Sequence, residues 1–242
     1  MPTFSAAQQR AIDVLARDLD RIFGARLHAL VAYPGNQADG SLHSCAIVDG
    51  LGFRDLTACL PQTESWHHRG IAVPLMLASG ELERTVDIFP LEYSAILANY
   101  VVVHGPDPFL GMSIPVDDLR RATEGQAKSH LIHLREAFLE SHGETTRVAR
   151  LIVSSAAPLR ALLSNIARLP DAASPAAAPA DLTDESLARM AEARMGVSAA
   201  LIRDVLATSA GGSSTVADPS ALLARYIDAA HRIWAYVDRW RS

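Results

Sequence analysis

The sequence predicts an α+β chain in two parts, an α+β first half over residues 1–113 and a helical bundle over 114–242. Three observations carry this reading. Short apolar runs bounded by Gly, Pro, Asn and Asp occur among helix-period segments before residue 105. After Gly105-Pro106-Asp107-Pro108 every apolar pattern has helical spacing. The length of 242 residues with 49% hydrophobic content supports two modest cores, each near the usual domain size.

The first half opens with a helix over 5–23. Ser5 with Gln8 three residues on resembles a capping box, Ala11, Val14, Leu15 and Ile22 recur at helical spacing, and Gly24 ends the segment. Residues 27–33, Leu-His-Ala-Leu-Val-Ala-Tyr, form an apolar run too short for a typical helix and lead into Pro34-Gly35-Asn36, so they read as a buried strand entering a turn. A second strand over 42–48 follows Asp39-Gly40. Residues 55–69 read as a helix interrupted at Pro61. Three more strand-like stretches come at 72–77, 85–89 and 100–103, the last two separated by residues 91–99.

In the second half, Pro115 and Asp117 open a helix to about Ser141 that includes Leu119, Leu131, Leu134 and Phe138. Val148, Ile152, Ser155, Leu159, Leu162 and Ile166 mark one face of the next helix, kinked if Pro158 lies inside it. Residues 170–181 have the Ala, Pro and Asp composition of a flexible loop. Thr183 starts another helix. The last runs from Pro219 with Leu222, Leu223, Tyr226, Ile233 and Val237 on one face, after a Gly211-Gly212-Ser213-Ser214 loop, giving a bundle of four or five helices.

Composition removes several function classes. Residues 1–113 carry 7 basic and 12 acidic side chains and residues 114–242 carry 15 of each, so the whole net charge of −5 lies in the first half and neither half has the basic excess of a nucleic-acid groove. No apolar run reaches the ~18 residues of a membrane span, and residues 1–10 lack a signal pattern, so a cytoplasmic chain is expected. Cys45 and Cys59 sit among apolar neighbours and are expected as buried free thiols. No Gly-x-Ser-x-Gly, Walker-type loop, dinucleotide fingerprint or zinc-ligand cluster occurs.

A helix, a strand ending in a Gly-containing turn, a second strand and an acidic residue on a later strand together resemble the nucleotidyltransferase fold of the polymerase-β superfamily. Small bacterial enzymes of the kanamycin nucleotidyltransferase type join such a domain to a helical bundle, and this chain is similar in order and size over nearly its whole length. The run Val86-Asp87-Ile88-Phe89-Pro90-Leu91-Glu92-Tyr93, followed by Val103-His104-Gly105-Pro106-Asp107-Pro108-Phe109 and Asp118-Leu119-Arg120, resembles a group of nucleotidyltransferase-like bacterial proteins. The resemblance implies a mixed sheet with flanking helices in the first half, a Gly-Ser turn for the triphosphate, two aspartates at i and i+2 on the next strand for magnesium, and a third carboxylate on a later strand.

The chain departs from that pattern where the chemistry is. The turn reads Tyr33-Pro34-Gly35-Asn36, with Asn in place of Ser, and the next strand, His43-Ser44-Cys45-Ala46-Ile47-Val48-Asp49, has no aspartate pair. Asp18-Leu19-Asp20 is the sole Asp-x-Asp, and on a helix residues two apart point about 200° apart. Asp87 matches the third carboxylate and is a weak candidate metal ligand; Asp49 comes too late for the pair. The sequence thus points to a degenerate nucleotidyltransferase-like chain, a pseudoenzyme whose remnant cleft of Tyr33, Gly35, Asn36, Asp49, Asp87 and Glu92 binds a small molecule, nucleotide or protein. The alternative is an active transferase that uses Mg2+ and a nucleotide on a small hydroxylated acceptor, with Asp87 as metal ligand and Glu92 as general base.

Three further constellations read more simply. His67-His68 beside Trp66 suits a surface pair next to a packed indole, since adjacent helical residues diverge by about 100°. His130 and His133 share a helix face at i, i+3, but no second helix offers a matching Glu or His pair for a metal. Arg225 and His231 fit a loose ribonuclease pattern of bundle toxins. Three such Arg–His spacings occur where chance supplies about two, which discounts it. Trp234 and Trp240 on the last helix offer a homodimer face or internal packing.

Overall fold

Ser5 starts the first helix with a reciprocal cap: its hydroxyl accepts the Gln8 N–H at 3.2 Å while the Gln8 side chain accepts the Ser5 N–H at 2.9 Å. The structure, a computed structural model, describes residues 4–35, 41–170, 182–211 and 216–240, with the side chains of 210 and 211 excepted. It is an α+β chain that divides into two units, Met1–Ile114 and Pro115–Ser242. Among the described residues no helix is long and apolar enough to cross a membrane.

In the first unit α1 (Ala6–Phe23) ends at Gly24, whose φ of +53° suits a residue without a side chain. A 3-10 turn (Gly24–Arg26) leads into β1 (Leu27–Pro34), and β2 (Leu42–Val48) returns antiparallel, in one register from Ala29 opposite Ile47 to Pro34 opposite Leu42, with a shift between Ala29 and the Leu27–Val48 pair. Helix α2 (Phe53–His68) is the crossover that lets β3 (Leu75–Ala78) lie parallel to β2. Helices α3 (Glu81–Thr85) and α4 (Pro90–Ala98) precede β4 (Val101–His104), which pairs antiparallel with β1 and completes the order β3-β2-β1-β4. Alternation along the strands builds two cores. Leu30, Ala32, Ala46 and Val48 pack with Leu15, Leu19 and Trp66 of α1 and α2; Val31, Cys45, Ile47 and Leu77 pack on the other face with Tyr93, Ile96 and Phe109. Behind β4, Gly105 has φ +74°, and a Cβ there would run into the His28 carbonyl oxygen.

Three expectations need correction. Residues 85–89 are no strand: they are the end of α3 and a turn before α4. Their β-branched side chains suit a strand, but Gly80 at φ +83° opens a helix, the Thr85 hydroxyl donates back to the Glu81 carbonyl at 2.8 Å, and Pro90 begins the next helix. The strand expected over 72–77 is β3, which starts only at Leu75, because Pro74 has no N–H for a ladder. Pro61 does not interrupt α2. It lies on the exposed side, where the carbonyl of exposed Thr57, left without its helical donor, can meet water.

In the second unit, among the described residues, lie α5 (Val116–Glu140), α6 (Thr145–Arg168), α7 (Asp184–Met195), α8 (Ala199–Gly211) and α9 (Pro219–Arg239). Helix α5 packs on α6 and α9, and α6 also packs on α7, α8 and α9. Leu131 and Leu134, Ile152, Leu159 and Leu163, and Leu223, Tyr226, Ile233 and Val237 are buried between them. Phe138, expected with the apolar face of α5, is instead 39% exposed near its end. Pro158 lies inside α6, Thr183 and Asp218 cap α7 and α9 through their side chains, and Arg160 Nε bonds Asp184 at 2.8 Å between α6 and α7. The loops expected at 170–181 and 211–214 fall, apart from Pro170 and Gly211, outside the described residues.

Candidate functional site

The turn that the resemblance singles out begins with Tyr33, half-buried near the end of β1 with its ring tilted against His43 at 5.8 Å between centroids. Burial raises the Tyr33 hydroxyl well above its ordinary range, and the neighbouring Cys45 and Tyr93 act in the same direction. Gly35 donates its N–H to the Ser41 carbonyl at 3.1 Å. A Cβ at Gly35 would lie 2.5 Å from His43 Cδ2 and 2.8 Å from Ser41 O, so closure of the hairpin is a sufficient reason for glycine here. Asn36 lies outside the described residues.

Asp49 does not lie at this turn. Asp49 follows the far end of β2: its N–H donates to the Arg26 carbonyl at 2.9 Å and its carboxylate accepts the Ser79 hydroxyl, tying together the start of β1 and the ends of β2 and β3. Gly35 neighbours Leu42 and Asp49 follows Val48, so six strand steps of about 3.3 Å, roughly 20 Å, separate them. That register corrects the cleft expected of both. Asp87 is on no strand but exposed in the turn between α3 and α4, and Glu92 is exposed in the first turn of α4. Period-2 geometry therefore cannot aim Asp87 at an ion.

Beside the turn, the two β2 side chains at i and i+2 on the Tyr33 face are His43 and Cys45. His43 Nε2 lies 3.1 Å from the Ser41 hydroxyl. Burial pushes the Cys45 thiol up to about 12, so it is a neutral part of the core. A hard cation finds no anionic oxygen on this pair. Among the described residues no group of three or more His, Cys, Asp or Glu could hold a metal ion.

The other constellations separate. Trp66 is buried and donates its indole N–H to Asp18 at 3.1 Å, while His67 and His68 are exposed. Asp18 is buried and Asp20 exposed, as diverging helical positions require. His133 is exposed beside Glu136 at 3.1 Å, whereas His130 is buried, with Nε2 at 2.7 Å from the Tyr226 hydroxyl. Arg225 and His231 are both exposed on α9, with His231 edge-on to Trp234. Trp234 and Trp240, offered for a homodimer face or internal packing, both make contacts within their own unit. Lys128 Nζ sits 3.6 Å from the Trp234 ring centroid, and buried Trp240 donates to the Pro170 carbonyl at 3.2 Å.

A cavity between α5 and α6, which includes His130, lies outside the expected site. The sequence signals for it are His130 on the same face as Leu134 and a proline inside the facing helix. No protein-family model matches this chain, and no curated protein matches it significantly in sequence.

Proposed function

We propose that this chain is a nucleotidyltransferase-like protein without the catalytic metal site, acting by recognition of a ligand or partner. The order of helix, strand, Gly35 turn and strand, followed by a helical second unit, supports the kinship. What supports the loss of catalysis is the β2 pair beside the turn: on this reading His43 and Cys45 stand where two-metal phosphoryl transfer needs paired carboxylates. With Asp49 at the far end of the hairpin, no nearby acid on β2 substitutes for them.

Calorimetry of the protein with ATP, GTP, CTP and UTP, each with and without Mg2+, tests the reading. The expected result is that magnesium creates no binding absent without it and that no pyrophosphate is released from any of the four. Magnesium-dependent binding accompanied by pyrophosphate release would overturn the proposal in favour of an active transferase.

A further inference from the structure

Between α5 and α6, within the second unit, lies a cavity of about 400 Å3, in the size range of small-molecule sites. Leu134, Leu151 and Pro158 give it apolar wall, and His130, His133 and Ser154 give it polar groups. His130 is only 9% exposed. Its Nε2 is engaged by the Tyr226 hydroxyl at 2.7 Å, while Nδ1 has no hydrogen-bond partner among the described residues. Nδ1 is solvent-accessible, so a molecule in the cavity would pair with it in place of water.

The chemistry of a ligand that would suit the cavity follows from His130. When the Tyr226 hydroxyl donates to the Ser155 carbonyl, 3.3 Å away, the imidazole must donate from Nε2, and Nδ1 is an acceptor. When that hydroxyl turns to Nε2 instead, Nδ1 carries the proton and donates. A hydroxyl group can answer either state; a carboxylate answers only the second and an ammonium only the first. Burial also holds the imidazole down to about 4, so at neutral pH it offers an anion no charge.

We propose that the α5–α6 cavity binds a small uncharged molecule with an apolar body and a hydroxyl group, the hydroxyl pairing with His130 Nδ1 and the body lying against Leu134, Leu151 and Pro158. This site is independent of the nucleotidyltransferase-like reading of the first unit.

The test uses the full chain at pH 7.5 with three probes: 4-propylphenol, propylbenzene and 4-propylbenzoate. The phenol is expected to bind one to one, at least tenfold more tightly than either of the others, and to move the 15N resonance of His130 Nδ1. Ala137→Trp, which fills the cavity from α5, is expected to lose the phenol. Should that variant fail to fold, the probe ranking and the nitrogen shift in the unaltered protein decide. Absence of saturable phenol binding, equal affinity for propylbenzene, tighter binding of the benzoate, or phenol binding that leaves the His130 signal in place would each overturn the proposal.

Discussion

Asp18 in α1 and His130 in α5 set the same problem in the two units, a polar side chain on the buried face of a long helix, and the chain resolves it differently. Asp18 is satisfied internally: one oxygen accepts the Trp66 indole N–H at 3.1 Å and the other lies 3.4 Å from the Arg21 guanidinium. His130 is satisfied on one nitrogen by Tyr226, and it lines a cavity. Burial of a polar group is thus no functional signal in itself. The signal is hydrogen-bonding capacity left unused next to space that a ligand can fill.

The largest effect that would break this contrast is Trp66→Ala, which deletes a fully buried indole and strips Asp18 of its donor; a loss of about 4 kcal/mol is expected in urea unfolding. A loss below about 1 kcal/mol would mean that the pair does not hold α2 on α1. Next in size is the acid response of His130. Burial, aided by the nearby His133, lowers its imidazole from an ordinary 6.5 to about 4, so the unfolded chain takes up this proton first. Its contribution is fully present above pH 6.5 and is lost as the pH falls through 4, about 3 kcal/mol in all. Between pH 7.5 and 4.5 the urea midpoint should therefore fall further in the unaltered protein than in His130→Phe, and equal falls would place the acid response elsewhere.

Asp18→Ala keeps the indole but leaves its N–H buried and unpaired, for an expected cost of about 2 kcal/mol. Indole side-chain hydrogen exchange that is no faster in this variant would show that the bond protects nothing. The smallest effect sharpens the other side of the comparison. Tyr226→Phe removes one hydroxyl from a preserved ring, costs about 1 kcal/mol in thermal unfolding, and leaves His130 Nε2 without its partner.

How much was legible depended on how local each cause is. Ser5, Gln8 and Gly24 mark both ends of α1 within a few residues of one another, and the apolar runs of β1 and β2 leave little choice of structure. At 85–89 the β-branched residues point the wrong way, because Gly80 and Pro90 start helices on either side of them. In the candidate site, the missing aspartate pair is visible residue by residue. The separation of Gly35 from Asp49 is not, since it follows from the antiparallel register of two strands.

The two-part order, the strands flanking the Gly35 turn, the capped helices and the want of paired acids on β2 all follow from the amino acids in line, because periodicity, caps and side-chain chemistry act over a few residues. Which groups meet is a matter of the folded chain. His130 finds Tyr226 across 96 positions and Asp18 finds Trp66 across 48, pairings set by how helices pack. A side chain's unused hydrogen bond is defined only when all its neighbours are in place, so the same histidine reads in the sequence as one of two on a helix face without the further ligands a metal needs, and in the fold as the wall of a cavity.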